Sequence, residues 1–189
     1  IVGNGWLYRD TMEVRFWQQS ANLLRAKPVY VNIREQNCRT AQLFWWFNQG
    51  AQVMLAVTPK PHYGADGSKA FDIQTYPGDR GPWLTSKLGP FPFPSFWGPM
   101  AGLPCSQWIA RCAEEVLLAN RPPDLTLVYL PHLDYEPQRK GPLGCDWKRI
   151  LGELDNACQP LLDAAKTVGA TVWVVNEYTH VQVNQPIYL

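Results

Sequence analysis

No run of eighteen apolar residues occurs in this 189-residue chain, which excludes an apolar membrane-spanning helix. The opening Ile1-Val-Gly-Asn-Gly has neither a basic start nor a long apolar run, so no secretory signal is read there. It also lacks an initiator methionine, and the chain is read as a processed product or an internal piece of something larger. Excess charge of either sign is missing as well: 17% of residues are charged and the net charge is +1. Without a basic stripe there is no reason to expect nucleic-acid binding, and the nine tryptophans are expected to pack, not to stack on bases. The five cysteines are odd in number and never form C-x-x-C, which excludes zinc-ribbon and thioredoxin readings. Cys112 and Cys158 fall at apolar helical positions and read as core. A reduced chain without structural disulfides follows, which leans toward a cytoplasmic setting without fixing the compartment. No internal repeat is found.

What is present suits one domain with a substantial core: the length is sufficient and the hydrophobic fraction is 46%. Leu125–Leu130 and Thr171-Val-Trp-Val-Val-Asn176 are apolar on successive positions, the pattern of strands covered on both faces. Gln42–Asn48 and Val53–Thr58 are further strand candidates. Between 106 and 120 the apolar residues keep a 3.6-residue period, with Ser106 as the expected N-cap and Arg-Pro-Pro as the stop. Trp147–Val168 repeats that period; Gly169 suits its C-terminal cap, and Pro160 is expected to kink or split it. Helix, strand, loop, helix, strand over 106–176 predicts a βαβ unit and hence an α/β fold with a largely parallel sheet flanked by helices. Residues 59–104, rich in Gly, Pro and aromatics, read as a long ordered insertion within this single α/β unit.

Charge gathers at the ends of the two most strand-like segments. The first runs into His132 and Asp134, the second into Glu177, Tyr178 and His180. In open α/β sheets ligands bind beyond the carboxyl ends of the strands. If the two strands are neighbours, Asp134 and Glu177 converge, and paired carboxylates repel unless a proton or cation lies between them. A divalent metal is one solution, and solvated charge at a strand end is the plain alternative. His132 and His180 read first as ordinary loop residues, and His62 has no role.

The motifs carry a resemblance. Ile1-Val-Gly-Asn4 resembles the H-G-I-V-G-N segment of the nucleotide pyrophosphatase/phosphodiesterases of the alkaline phosphatase superfamily. Leu127-Val-Tyr-Leu-Pro-His-Leu-Asp134, closing with Gly141-Pro142, is similar to the family strand that ends in a metal-binding Asp. Thr171–Tyr178 is similar to the strand ending in its S-D-H-G motif. Arg9-Asp10, Phe44-Trp45-Trp46 and Ser95–Pro99 look closest to a bacterial-type branch reading L-P-H-L-D-Y and S-E-Y-G. The resemblance spans the chain.

What it implies is a metal-dependent phosphoester hydrolase, alkaline phosphatase-like in fold, acting on a small phosphorylated substrate. Asn4 matches the amide that donates to a phosphate oxygen; Asp134 and Glu177 match metal ligands. Three imidazoles are missing, since Gln138, Tyr178 and Tyr188 stand at or near the family's histidines. A carboxylate site of this kind suits Mg²⁺ or Mn²⁺ better than Zn²⁺, with His132 or His180 as possible compensation. The family's Thr or Ser nucleophile is expected upstream of Ile1, so residues 1–189 alone are expected to lack the covalent step. The aromatic stretch Tyr63–Trp97 is expected either to shape the substrate pocket or simply to pack. The competing class is a binding or scaffold protein that keeps the fold without the chemistry.

Overall fold

A computed structural model describes residues 5–16 and 18–185. The chain begins with a small antiparallel pair, β1 (Gly5–Tyr8) and β2 (Glu13–Phe16). Helix α1 (Val29–Glu35) leads into β3 (Thr40–Leu43) and β4 (Leu55–Tyr63), which pair in parallel. Next come β5 (Lys69–Tyr76), α2 (Arg80–Leu88), α3 (Leu103–Leu117), β6 (Leu125–Val128), α4 (His132–Lys140) and α5 (Trp147–Thr167). The four-stranded sheet runs β5-β4-β3-β6. β6 is parallel to β3, and β5 is antiparallel to β4, so the α/β sheet is mixed.

The sheet is buried on both faces near β3. Ala41, Leu43, Leu55 and Val57 point to the main core beneath α3, which adds Ile109, Cys112 and Ala113, all fully buried. On the other face Ala56 packs with Tyr30 of α1, Ala51 and Val53. All five cysteines are free thiols. The 59–104 stretch is ordered but is not peripheral: it begins inside β4. Pro59 and Pro61 fit there for a topological reason. The Val57 carbonyl faces β3's side, where it accepts from Phe44 N at 2.7 Å. Residues 59 and 61 share that parity, so their missing N–H groups point past the end of β3 and no ladder bond to β5 is lost. Phe91, Phe93 and Phe96 then fill the core against Phe44 and Trp108, with Phe44–Phe91 and Phe91–Trp108 centroids 4.8 and 5.2 Å apart. For these rings packing is the outcome, not a substrate pocket.

Several expectations are corrected. The Gln42–Asn48 strand ends at Leu43, because Phe44 and Phe47 turn at φ 57° and 56° to bury their rings. Ser106 does not cap α3: Pro104 suits the first turn, so the helix starts at Leu103 and Ser106 is fully buried. Pro160 neither ends nor divides α5, which is unbroken over its 21 residues. The carbonyl deprived of a partner belongs to Asn156, which is exposed and can bond water. The loop expected after β6 is helical over its first nine residues from His132.

The largest correction concerns Thr171–Asn176. It is not a strand, and the βαβ unit does not close. Among the described residues β6 pairs with β3 alone, while Trp173 and Val174 stand 83% and 92% exposed. An apolar run becomes a strand only where a neighbour satisfies its backbone, and none does so among the described residues. The end of α5 does follow its sequence signal. Gly169 adopts φ 69°, Ala170 N–H donates to Ala165 O at 2.8 Å, and Gly169 N–H donates to Lys166 O at 3.2 Å. Gly169→Ala is expected to lower stability by about 1–2 kcal/mol, the penalty for a Cβ in the left-handed region, read by urea unfolding.

Candidate active site

Asp134 lies where a parallel sheet presents ligands. β6 ends at Val128, Tyr129 N–H still donates to Leu43 O at 3.0 Å, and the chain then turns through Pro131 into α4. Asp134 occupies the first turn of α4, where a negative charge is favoured by the helix dipole. The helix is pinned on both flanks. Tyr135 is buried, donates to Phe96 O at 2.9 Å and sits 3.2 Å from Cys105 Sγ; Arg139 donates to Ala101 O at 2.9 Å. On the opposite flank His132 Nε2 meets Glu153 Oε2 at 3.0 Å, and Arg149 joins Glu153 to Glu136.

That charge chain has a pH consequence. Donors from Lys140 and then Arg149 hold the Glu136 carboxyl well below its ordinary 4.5, at about 2. A depressed carboxyl contributes stability that is fully present above its unfolded value and is lost as pH falls through the folded one. Unfolding midpoints should therefore decline between about pH 4.5 and about pH 2. Glu136→Gln is expected to flatten that decline by lowering the neutral-pH midpoint toward the acid value, since the ion-paired carboxylate is what the neutral state gains. An unaltered acid limb in the variant would show that the network carries none of it.

Around Asp134 the structure assembles three groups. Tyr129 Oη donates to Oδ2 at 2.9 Å, and His180 Nε2 lies 3.3 Å from Oδ1. The Tyr178 phenol also faces the carboxylate. Burial first, and then the charge of Asp134, raises the pKa of Tyr129. Burial and then a hydrogen bond to Asp134 do the same for Tyr178, so both phenols remain protonated donors. The 177–180 segment lies against Asp134, although its approach is not that of a paired strand. Its contacts come through Tyr178 and His180. Glu177 is exposed, and its charge is felt at Tyr178. Asn4 and Tyr188 lie outside the described residues. Gln138 lines a groove of about 350 Å³ beside the site, with Gly141, His180 and Gln182.

Two donors bound to one tetrahedral ion at about 2.1 Å each lie roughly 3.4 Å apart. The Asp134–His180 spacing suits two ligands of a shared cation as well as it suits a hydrogen bond. Among the described residues, however, no three His, Cys, Asp or Glu side chains come together as a metal group. Reasoning from sequence gave His132 and His180 only a compensating role. It had no signal for the Tyr129 bond, because a phenol five residues before an Asp is unremarkable until β6 ends and α4 folds back.

The family model for type I phosphodiesterase / nucleotide pyrophosphatase matches residues 1–189. The chain belongs to this family. No curated protein and no solved structure matches it. The family indicates a hydrolase function of the phosphodiesterase / nucleotide pyrophosphatase type, and it is the family that acts on phosphorylated substrates. No helix among the described residues is long and apolar enough to cross a membrane.

Proposed function

We propose that this chain forms part of the centre of a divalent-metal-dependent phosphoester hydrolase with an alkaline phosphatase-like arrangement. The observation that carries the reading is the position of Asp134, at the carboxyl end of a parallel strand in a phosphodiesterase-family chain, with the 177–180 segment folded onto it. Asp134 is the principal ligand, Glu177 the second carboxylate, and His180 Nε2 an imidazole donor in place of those missing at 138, 178 and 188. Asn4 donates its amide to a phosphate oxygen, and an uncharged donor there stabilises the charge that develops in the transition state. Tyr129 holds Asp134 Oδ2, and His180 approaches Oδ1. A divalent ion bound here supplies Lewis-acid stabilisation of phosphoryl oxygens, and Mg²⁺ or Mn²⁺ suits the carboxylates better than Zn²⁺. No nucleophile is assigned within residues 1–189.

One feature supports a second reading, a protein that keeps the fold without turnover. Both Asp134 oxygens already have protein partners, so the side chain is satisfied without any ion. Calorimetry on the full-length natural protein with Mn²⁺, Mg²⁺ and Zn²⁺ separates the two readings. Binding of one ion that disappears in Asp134→Ala supports the hydrolase. Absence of binding, or binding indifferent to that substitution, supports the silent protein.

A further inference from the structure

A cavity lies apart from Asp134. It has a volume of about 550 Å³ and lies at the other end of the parallel strands. Thr40, which opens β3, lines it, as do Tyr30 and Arg34 of α1, Cys38 and Arg39 before β3, and Tyr76 at the end of β5. The four residues of β3 alone separate its floor from the Asp134 end by about 13 Å. The volume is that of a small-molecule pocket.

Its lining has a definite chemistry. No Asp or Glu belongs to it, while two arginines do. Asp124 lies outside the lining and offsets Arg39, accepting from its backbone N–H at 2.6 Å and lying 3.5 Å from Nε. Arg34 meets only a neutral partner, the Gln52 side-chain oxygen, and forms no ion pair among the described residues. One net positive charge therefore faces the cavity. Thr40 is 3% exposed, and its hydroxyl has no hydrogen-bond partner. A buried hydroxyl without a partner is costly unless something bonds to it. The rest of the wall is apolar or aromatic, with Tyr30 and Val53 buried and Tyr76 at the rim.

We propose that this cavity is a second ligand site, separate from the candidate active site, for a small organic anion. A phosphate or carboxylate group meets Arg34, with Arg39 and the Thr40 hydroxyl nearby, and a flat apolar body lies against Tyr30 and Tyr76. The guanidinium presents paired donors that match a planar or tetrahedral oxyanion, which favours Arg34 as the anchor.

Cys38 supplies a local reporter, because it is part-exposed and lines the cavity, whereas Cys105 and Cys112 are buried. The test is alkylation of the full-length natural protein by iodoacetamide, followed residue by residue by mass spectrometry. The probes are adenosine monophosphate and adenosine. With the monophosphate at ten times its dissociation constant, Cys38 should be alkylated about ten-fold more slowly. Cys145 should be unaffected, and adenosine should give no protection. Arg34→Gln should raise the concentration needed by about ten-fold or more, the loss of one charge-assisted bond. Cys105 and Cys112 should stay unreactive in that variant, which shows that it is folded. Asp134→Ala should leave the protection intact, so the result stands apart from the hydrolase reading. No protection by the monophosphate, equal protection by adenosine, protection unchanged in Arg34→Gln, or protection lost in Asp134→Ala would each overturn the site.

Discussion

Trp108→Ala is expected to destabilise the fold by about 3–5 kcal/mol, the range for removing a large buried aromatic side chain. Trp108 is 6% exposed and stands where four parts of the chain meet. Its ring lies 6.0 Å from that of Phe44 at the end of β3 and 5.2 Å from that of Phe91 of the aromatic stretch. Its indole N–H donates to Gly89 O at 3.1 Å, just beyond α2. The substitution opens a cavity and leaves that carbonyl without its donor. In a chain of this length the unfolding temperature should fall by roughly 10 °C. Trp108→Phe retains much of the volume and loses the N–H, so an intermediate loss is expected. Trp173→Ala is the matched control: the ring is 83% exposed, and the effect should stay within about 0.5 kcal/mol. A small loss at Trp108 would mean the aromatic stretch is not core. A loss of several kcal/mol at Trp173 would mean that the 171–176 segment docks as a strand after all.

Those two tryptophans also mark where the sequence was readable. The periodicity around Trp108 extends over several helical turns, and one face of α3 is buried as that period requires. α5 is legible in the same way, down to the left-handed Gly169 that closes it. Short apolar runs are different, because four to six apolar residues in succession do not distinguish a strand from a buried turn or an unpaired segment. In Gln42–Phe47 two residues, Phe44 and Phe47, take left-handed turns, and Thr171–Asn176 finds no partner strand among the described residues. Pro59 and Pro61 pointed away from a strand, yet they lie in the longest one, because only the register shows which edge their missing donors face. At the candidate site the sequence pointed to Asp134 and to the segment that returns to it, since charge at the end of a strand is a local signal. Which residue of that segment touches Asp134 depends on the path from Gly169 to His180, and no pattern encodes that path. The Arg34 cavity left no mark in the sequence at all. Its lining is drawn from α1, two connecting segments and the ends of β3 and β5, none of which is a motif alone.

Asp134→Asn in the full-length protein is expected to lower kcat/KM for bis(4-nitrophenyl) phosphate by about 10²–10³, the usual scale for removing one electrostatic stabiliser of the transition state. The amide keeps the shape and can still accept from Tyr129 Oη, so the loss reports charge, not packing. The structural cost is small: a carboxylate in the first helical turn contributes about 0.3–1 kcal/mol, and α4 remains pinned by Tyr135 and Arg139. His180→Gln tests the imidazole that approaches Asp134 Oδ1. If it only orients the carboxylate, activity should fall about 10–100-fold with metal affinity little altered. If it is a ligand, affinity should fall as well, and raised Mn²⁺ should restore part of the rate. Tyr129→Phe separates positioning from ligation on the other oxygen, since a phenol that only holds Oδ2 should affect rate more than metal affinity. Activity unchanged in Asp134→Asn, beside a wild type that turns over, would remove Asp134 from the chemistry. It would leave the Asp134, Tyr129 and His180 cluster as a structural clasp that ties the tail to α4.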